Sequence, residues 1–127
     1  MEIINTQHAP LPIGPYSQGI IAGDFLFISG QIPIDPKTNK ISNDIKEQTG
    51  QVLENLEAII KESGVTLKNI VRCGIFLKNM DDFAAVNEIY GQFFSTHKPT
   101  RSCVEVSRLP QNVLIEIEAV VLMKEKQ

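Results

Sequence analysis

At 127 residues, with 43% hydrophobic and 21% charged positions, the chain has the size and composition of one ordinary globular domain, so a single core spanning 1–127 is expected. Twelve Lys and Arg against 15 Asp and Glu give a net charge of −3, a balance that argues against nucleic acid and anionic lipid, whose binding rests on clustered positive charge. No apolar run approaches the ~20 residues of a membrane helix and MEIINTQHAPLPIGPY lacks a signal-peptide core, so a cytoplasmic protein with no membrane partner is expected.

In chain order, GPYSQG (14–19) carries the glycine, proline and small hydroxyl of a tight turn, without the GxxxxGK[ST] or GxGxxG order of a phosphate loop. It reads as a rigid approach to the first strand that fixes Tyr16. GIIAGDFLFISG (19–30) predicts two short strands around a turn at 22–24, and IPIDPKTNK (32–40) an exposed loop. From 44 to 63, Ile45, Val52, Leu53, Leu56, Ile59 and Ile60 recur with helical periodicity. Ser42, Asn43 or Asp44 can cap this helix, Glu47 can close a capping box with Asp44, and Gly64 suits the left-handed stop.

NIVRCGIFLK (69–78) predicts a buried strand. A second helix follows, capped by Asn79 or Asp81, with a stripe of Phe83, Val86, Tyr90, Phe93 and Phe94 reaching to about Ser95. Asn87 falls on or beside that stripe, where it needs a hydrogen-bonding partner, a structural job. KPTRSCVEVSRLPQNVLIEIEAVV (98–121) closes the chain as two strands joined by a turn.

Two helices can cover only one face of a sheet of five or six strands, which leaves the other face to be accounted for. In the last strand Ile115, Ile117, Ala119 and Val121 alternate with Glu116, Glu118 and Val120, and the apolar set should meet the helices. In the strand before it, Ser102, Val104 and Val106 are expected on that same side, with Arg101, Cys103 and Glu105 opposite, beside the carboxylates. Alternation leaves two destinies open for such a polar face: solvent, or an oligomer interface that traps polar pockets.

Arg101 is either a surface cation paired with Glu116 or Glu118, or a carboxylate receptor whose planar fork of donors matches two oxygens. Cys103 is a small buried hydrophobe or a nucleophile, but His8 and His97 have no sequence context marking either as its base. Glu116, flanked by isoleucines, is an ion-pair partner or an acid–base group with raised proton affinity. Cys73 and Cys103 form no CxxC pair and no His cluster accompanies them, so neither metal nor cofactor is expected, and both thiols should be reduced.

PTRSCVEVSRLPQNVLIEI (99–117) resembles the signature of the Rid family, the reactive intermediate deaminases also called the YjgF family. IGPYSQGI (13–20), ISGQIP (28–33), NLEAII and FAAVNEIYGQFF (83–94) are similar to it as well, in order along essentially the whole chain. The resemblance implies an α+β subunit of chorismate-mutase-like form, a single mixed sheet with two helices on one face. It also implies a homotrimer whose sheets line a central barrel and leave clefts between subunits. The RidA branch hydrolyses 2-imino acids, 2-iminobutanoate and 2-iminopropanoate, to 2-keto acids and ammonia. Carried over, Arg101 clamps the substrate carboxylate, Cys103 contributes through its backbone, and Glu116 positions or activates water. Tyr16, Ser29, Gly30 and Asn87 line or support the cleft.

Overall fold

In the computed structural model, residues 1–124 are described. Strand β1 (Glu2–Ile4) pairs antiparallel with β2 (Gly19–Ala22), β2 with β3 (Phe25–Gln31), and β3 with β6 (Ile115–Leu122). β6 runs antiparallel to β4 (Ile70–Leu77), which is parallel to the edge strand β5 (Thr100–Glu105). The spatial order is β1-β2-β3-β6-β4-β5, a single mixed sheet. β1 escaped the sequence analysis because three residues are too few to display alternation, although Ile4 is buried.

Helices α1 (Ile45–Glu62) and α2 (Phe83–Phe93) pack on one face of this sheet, as expected. Along α1 the stripe of Val52, Leu53, Leu56, Ile59 and Ile60 is fully buried, each side chain contributing on the order of 1.5–3 kcal/mol. The Asp44 carboxylate caps α1 by accepting from Glu47 N at 3.0 Å. The box does not close, because the Glu47 carboxylate accepts instead from the Ser42 hydroxyl at 2.5 Å. Gly64 takes φ +91° just past the end of the helix, where a Cβ would be strained. Asn79 caps a single tight turn, Met80–Asp82, that precedes α2, and α2 itself begins without a side-chain cap.

Buried amides tie the loops to this frame. Gln48 Nε2 donates to Ser42 O at 2.7 Å while its Oε1 accepts from Leu114 N at 2.8 Å, fixing the approach to β6. Asn55 Nδ2 donates to Ile32 O and Ile34 O, which pins the start of the loop after β3. Gln18 bonds Thr6 and Pro10 and holds the N-terminal segment against the sheet. No described helix is long and apolar enough to cross a membrane.

Along β6 the alternation is as expected: Ile115, Ile117, Ala119 and Val121 are buried toward the helices and Glu116, Glu118 and Val120 face the open side. For β5 the expected sides are exchanged. Cys73, Ile75 and Leu77, all buried on the helix side, stand opposite Arg101, Cys103 and Glu105, so those three also point toward α2, while Ser102 and Val104 point to the open face. Alternation divides a strand into two sets but does not say which set is inward. On an edge strand joined to β4 through α2, the crossover helix decides, and it lies over Arg101.

Candidate functional site

The Glu116 carboxylate sits on the open face, on the middle strand of β3, β6 and β4. Opposite Glu118, β3 carries one extra residue: Ile28 pairs with Ala119 but Gln31 with Ile117, so Ser29 and Gly30 form a bulge. Glycine at position 30 leaves room for this carboxylate, because a Cβ there would overlap Glu116 Oε2 and lie 2.8 Å from its Cδ. The bulge therefore makes the space in which the carboxylate rests.

Ile13, Gly14, Tyr16, Ser29, Gly30, Ile32, Pro110 and Glu116 line an open cavity of about 330 Å³. Ser29 is fixed at both ends: its hydroxyl donates to Ser17 O at 2.6 Å and its amide to Gln18 O at 2.9 Å. The GPYSQG turn is closed by Tyr16 N donating to Gly14 O at 2.9 Å, which supports its reading as a rigid approach. Glu118 is paired with Arg72 at 3.5 Å, whereas Glu116 makes no ion pair among the described residues. Burial, with the Glu118 charge second, raises the Glu116 pKa above the ordinary carboxylate value.

Arg101 lies on the other face, at the sheet edge. Its Nη1 donates to Asn87 Oδ1 at 2.7 Å, and its guanidinium carbon lies 4.9 Å from the Tyr90 ring centre and 5.5 Å from that of Phe83. Asn87 thus has the hydrogen-bonding partner its place on the stripe demanded. Neither Glu116 nor Glu118 pairs with Arg101, so the ion-pair reading of this arginine is replaced by a contact with α2.

Cys103 follows on the same side, half-buried; burial raises its thiol pKa, opposed by Arg101, and the sulfur stays protonated. His97 Nε2 is bound to Ile70 O at 2.6 Å and His8 lies in a groove along α1, so neither histidine serves Cys103 as a base.

Of the candidates drawn from sequence, Tyr16, Ser29, Gly30 and Glu116 come together in one cavity, and Arg101, Asn87 and Cys103 come together on the opposite side of the sheet. Within the single chain the two groups are not brought together. Sequence reasoning missed Phe83 and Tyr90 as neighbours of Arg101, although their spacing of seven with Asn87 between them is the signal of one helix face. It also missed Ile13, Ile32 and Pro110 as cavity walls, which alternation cannot reveal for loop residues.

A mixed sheet with both helices on one face, a bulge-seated carboxylate and an edge arginine define a small α+β domain with polar clusters on its two faces. The chain belongs to the YjgF/Rid family: the family model described as Endoribonuclease L-PSP matches residues 6–123. A RutC family protein of Pyrococcus horikoshii is 58% identical, covering 94% of this chain and 95% of that protein. Escherichia coli TdcF, provisionally named a reactive intermediate deaminase, is 47% identical over 94% of this chain and 95% of its own. The crystal structure of TdcF with bound serine superimposes with a TM-score of 0.93, covering 96% and 98% of the two chains at 46% identity. A Thermotoga maritima structure described provisionally as an endoribonuclease gives 0.95, covering 99% of each chain at 47% identity.

Proposed function

We propose that this protein is a hydrolytic deaminase that converts 2-iminobutanoate and 2-iminopropanoate to the corresponding 2-keto acids and ammonia. It acts in the cytoplasm as a homotrimer whose sites lie between subunits. The observation that carries this reading is the split of the site: Arg101 and Glu116 point to opposite faces of one sheet. A substrate that needs both must therefore lie between two copies. The open face that a neighbour would cover carries exposed apolar side chains, Phe27 at 49% and Val104 at 46%, beside the Arg72–Glu118 pair and Glu116.

The chemistry suits these groups. Arg101 of one subunit holds the substrate carboxylate with the donors that Asn87 leaves unused. Glu116 of the neighbour, its proton affinity raised by desolvation, accepts a proton from water as the oxygen adds to the imine carbon. Glu116 passes that proton to nitrogen, and as the C–N bond breaks it takes the hydroxyl proton, so that the carbonyl forms and ammonia leaves. An imine carbon is already electrophilic, so orientation and proton transfer suffice. Cys103, protonated, serves through its backbone, and Tyr16, Ser29 and Gly30 shape the opposite wall.

The name carried by TdcF supports this reading. A ribonuclease reading is favoured by the family description and by the Thermotoga maritima structure. The net charge of −3 and the binding of His97 to a backbone carbonyl weigh against it.

Mixing inactive variants tests the shared site. Arg101→Ala and Glu116→Gln proteins, each inactive alone on 2-iminobutanoate generated in situ from threonine by a dehydratase, should regain about a quarter of wild-type activity after joint refolding, because a quarter of random interfaces unite intact halves. No recovery in verified mixed oligomers refutes the shared site. Wild type that accelerates hydrolysis no better than Arg101→Ala refutes the deaminase, and cleavage of RNA instead would favour the ribonuclease.

A further inference from the structure

Arg101 is an exposed side chain on an edge strand, where an arginine ordinarily samples many rotamers and presents no fixed face to a ligand. Here it is held on three sides by one helix. Phe83, Asn87 and Tyr90 stand at i, i+4 and i+7 of α2 and share a face. Asn87 takes one guanidinium N–H at 2.7 Å, and the Phe83 and Tyr90 rings lie 5.5 and 4.9 Å from the guanidinium carbon, within cation–π range.

We propose that Phe83 and Tyr90 are positioning residues for Arg101, forming with Asn87 a cradle that aims the guanidinium before any ligand arrives. The proposal rests on the reading of Arg101 as the carboxylate receptor. Phe83, the first residue of α2, keeps 37% of its surface in water, so core packing alone does not account for its ring. Tyr90 is 8% exposed and its ring is braced by Phe94, with centres 4.6 Å apart. Its hydroxyl is buried beside the Cys73 thiol and makes no hydrogen bond to Arg101, so what Tyr90 brings to Arg101 is the ring.

Asn87 takes one N–H and the two rings lie within cation–π range, which leaves the other guanidinium donors for a ligand. A preordered fork loses less freedom on binding, which strengthens ground-state capture of the carboxylate and leaves the proton-transfer step at Glu116 alone. Loosening the cradle should therefore act on KM more than on kcat.

The test reads the arginine directly. In ¹⁵N-labelled protein without substrate, the Arg101 Nε–Hε order parameter is measured by NMR relaxation for wild type, Phe83→Leu, Tyr90→Leu and Tyr90→Phe. In parallel, the affinity for 2-oxobutanoate is measured by titration, and KM and kcat on the imino acid by assay. Phe83→Leu, partly exposed and expected to fold, should lower the order parameter and weaken binding about three- to tenfold, with KM rising by a like factor and kcat changing less. Tyr90→Phe, which keeps the ring, should hold Arg101 as firmly as wild type, whereas Tyr90→Leu should release it.

An Arg101 order parameter unchanged in Phe83→Leu would overturn the cradle, as would a Tyr90→Phe variant as loose as Tyr90→Leu. Absence of turnover or of 2-oxobutanoate binding in wild type would instead count against the proposed function. The order parameters would still decide the cradle.

Discussion

The carboxylate of Glu116 occupies the volume that a side chain on residue 30 would fill: a Cβ built on Gly30 overlaps Oε2 and comes within 2.8 Å of Cδ. The bulge in β3 and the carboxylate on β6 are therefore one construction, in which a missing side chain on one strand seats a functional one on the next.

Gly30→Ala should displace that carboxylate rather than be absorbed. Because the new methyl meets the far end of a flexible side chain, the urea midpoint should change little while the carboxylate moves. Imine hydrolysis should fall about a hundredfold or more, since misplacement by ~1 Å is enough for a loss of that order. A fully active Gly30→Ala protein would show that Glu116 is not needed where it stands.

The pH profile follows from burial of Glu116 and from the neighbouring Glu118 charge, both of which raise its pKa. As the base, Glu116 must be ionised, so activity should fall as pH drops through a pKa above the ordinary carboxylate value. Glu118→Gln removes the second cause and should move this acid limb to lower pH. Because the folded state holds the Glu116 proton more tightly, its contribution to stability is present below the unfolded pKa and is lost as pH rises through the folded one. Glu116→Gln should accordingly raise Tm at neutral pH, an advantage that disappears in acid.

Cys103→Ser should retain activity within about threefold, because a thiol kept protonated by burial contributes no nucleophile. Labelling by a thiol reagent at neutral pH should be slow for the same reason. Loss of activity on the scale expected for Arg101→Ala would return the sulfur to the mechanism.

Phe27 projects from the open face of β3, and in the proposed trimer a charge placed there would be trapped against a neighbour's sheet. Phe27→Glu should sediment as a monomer with its secondary structure intact and with activity lost, since Arg101 and Glu116 would no longer meet. A Phe27→Glu trimer with full activity would remove the open face from the assembly.

Much of this was legible in residue order. The α1 stripe, the Asp44 cap, the Gly64 stop and the inward set of β6 each follow from local rules of period and capping. β1 was not, because three residues carry no period. The seat for Glu116 was hidden as well: Gly30 and Glu116 are 86 positions apart, and only the register shift between β3 and β6 brings them into contact. Phe83 and Tyr90 were read as core stripe because their helical spacing is the same whether the face they share meets a sheet or an arginine.

By itself the sequence determined the elements other than β1, the division of the longer strands into two sets and the fact that two helices leave a sheet face uncovered, since these depend on periodicity alone. Which set of β5 turns inward was decided by tertiary structure. The connection from β4 through α2 lays that helix over Arg101, so the arginine belongs to the helix face and Glu116 to the open one. Alternation fixes a strand's sides only relative to each other, and packing against a particular neighbour gives them absolute direction.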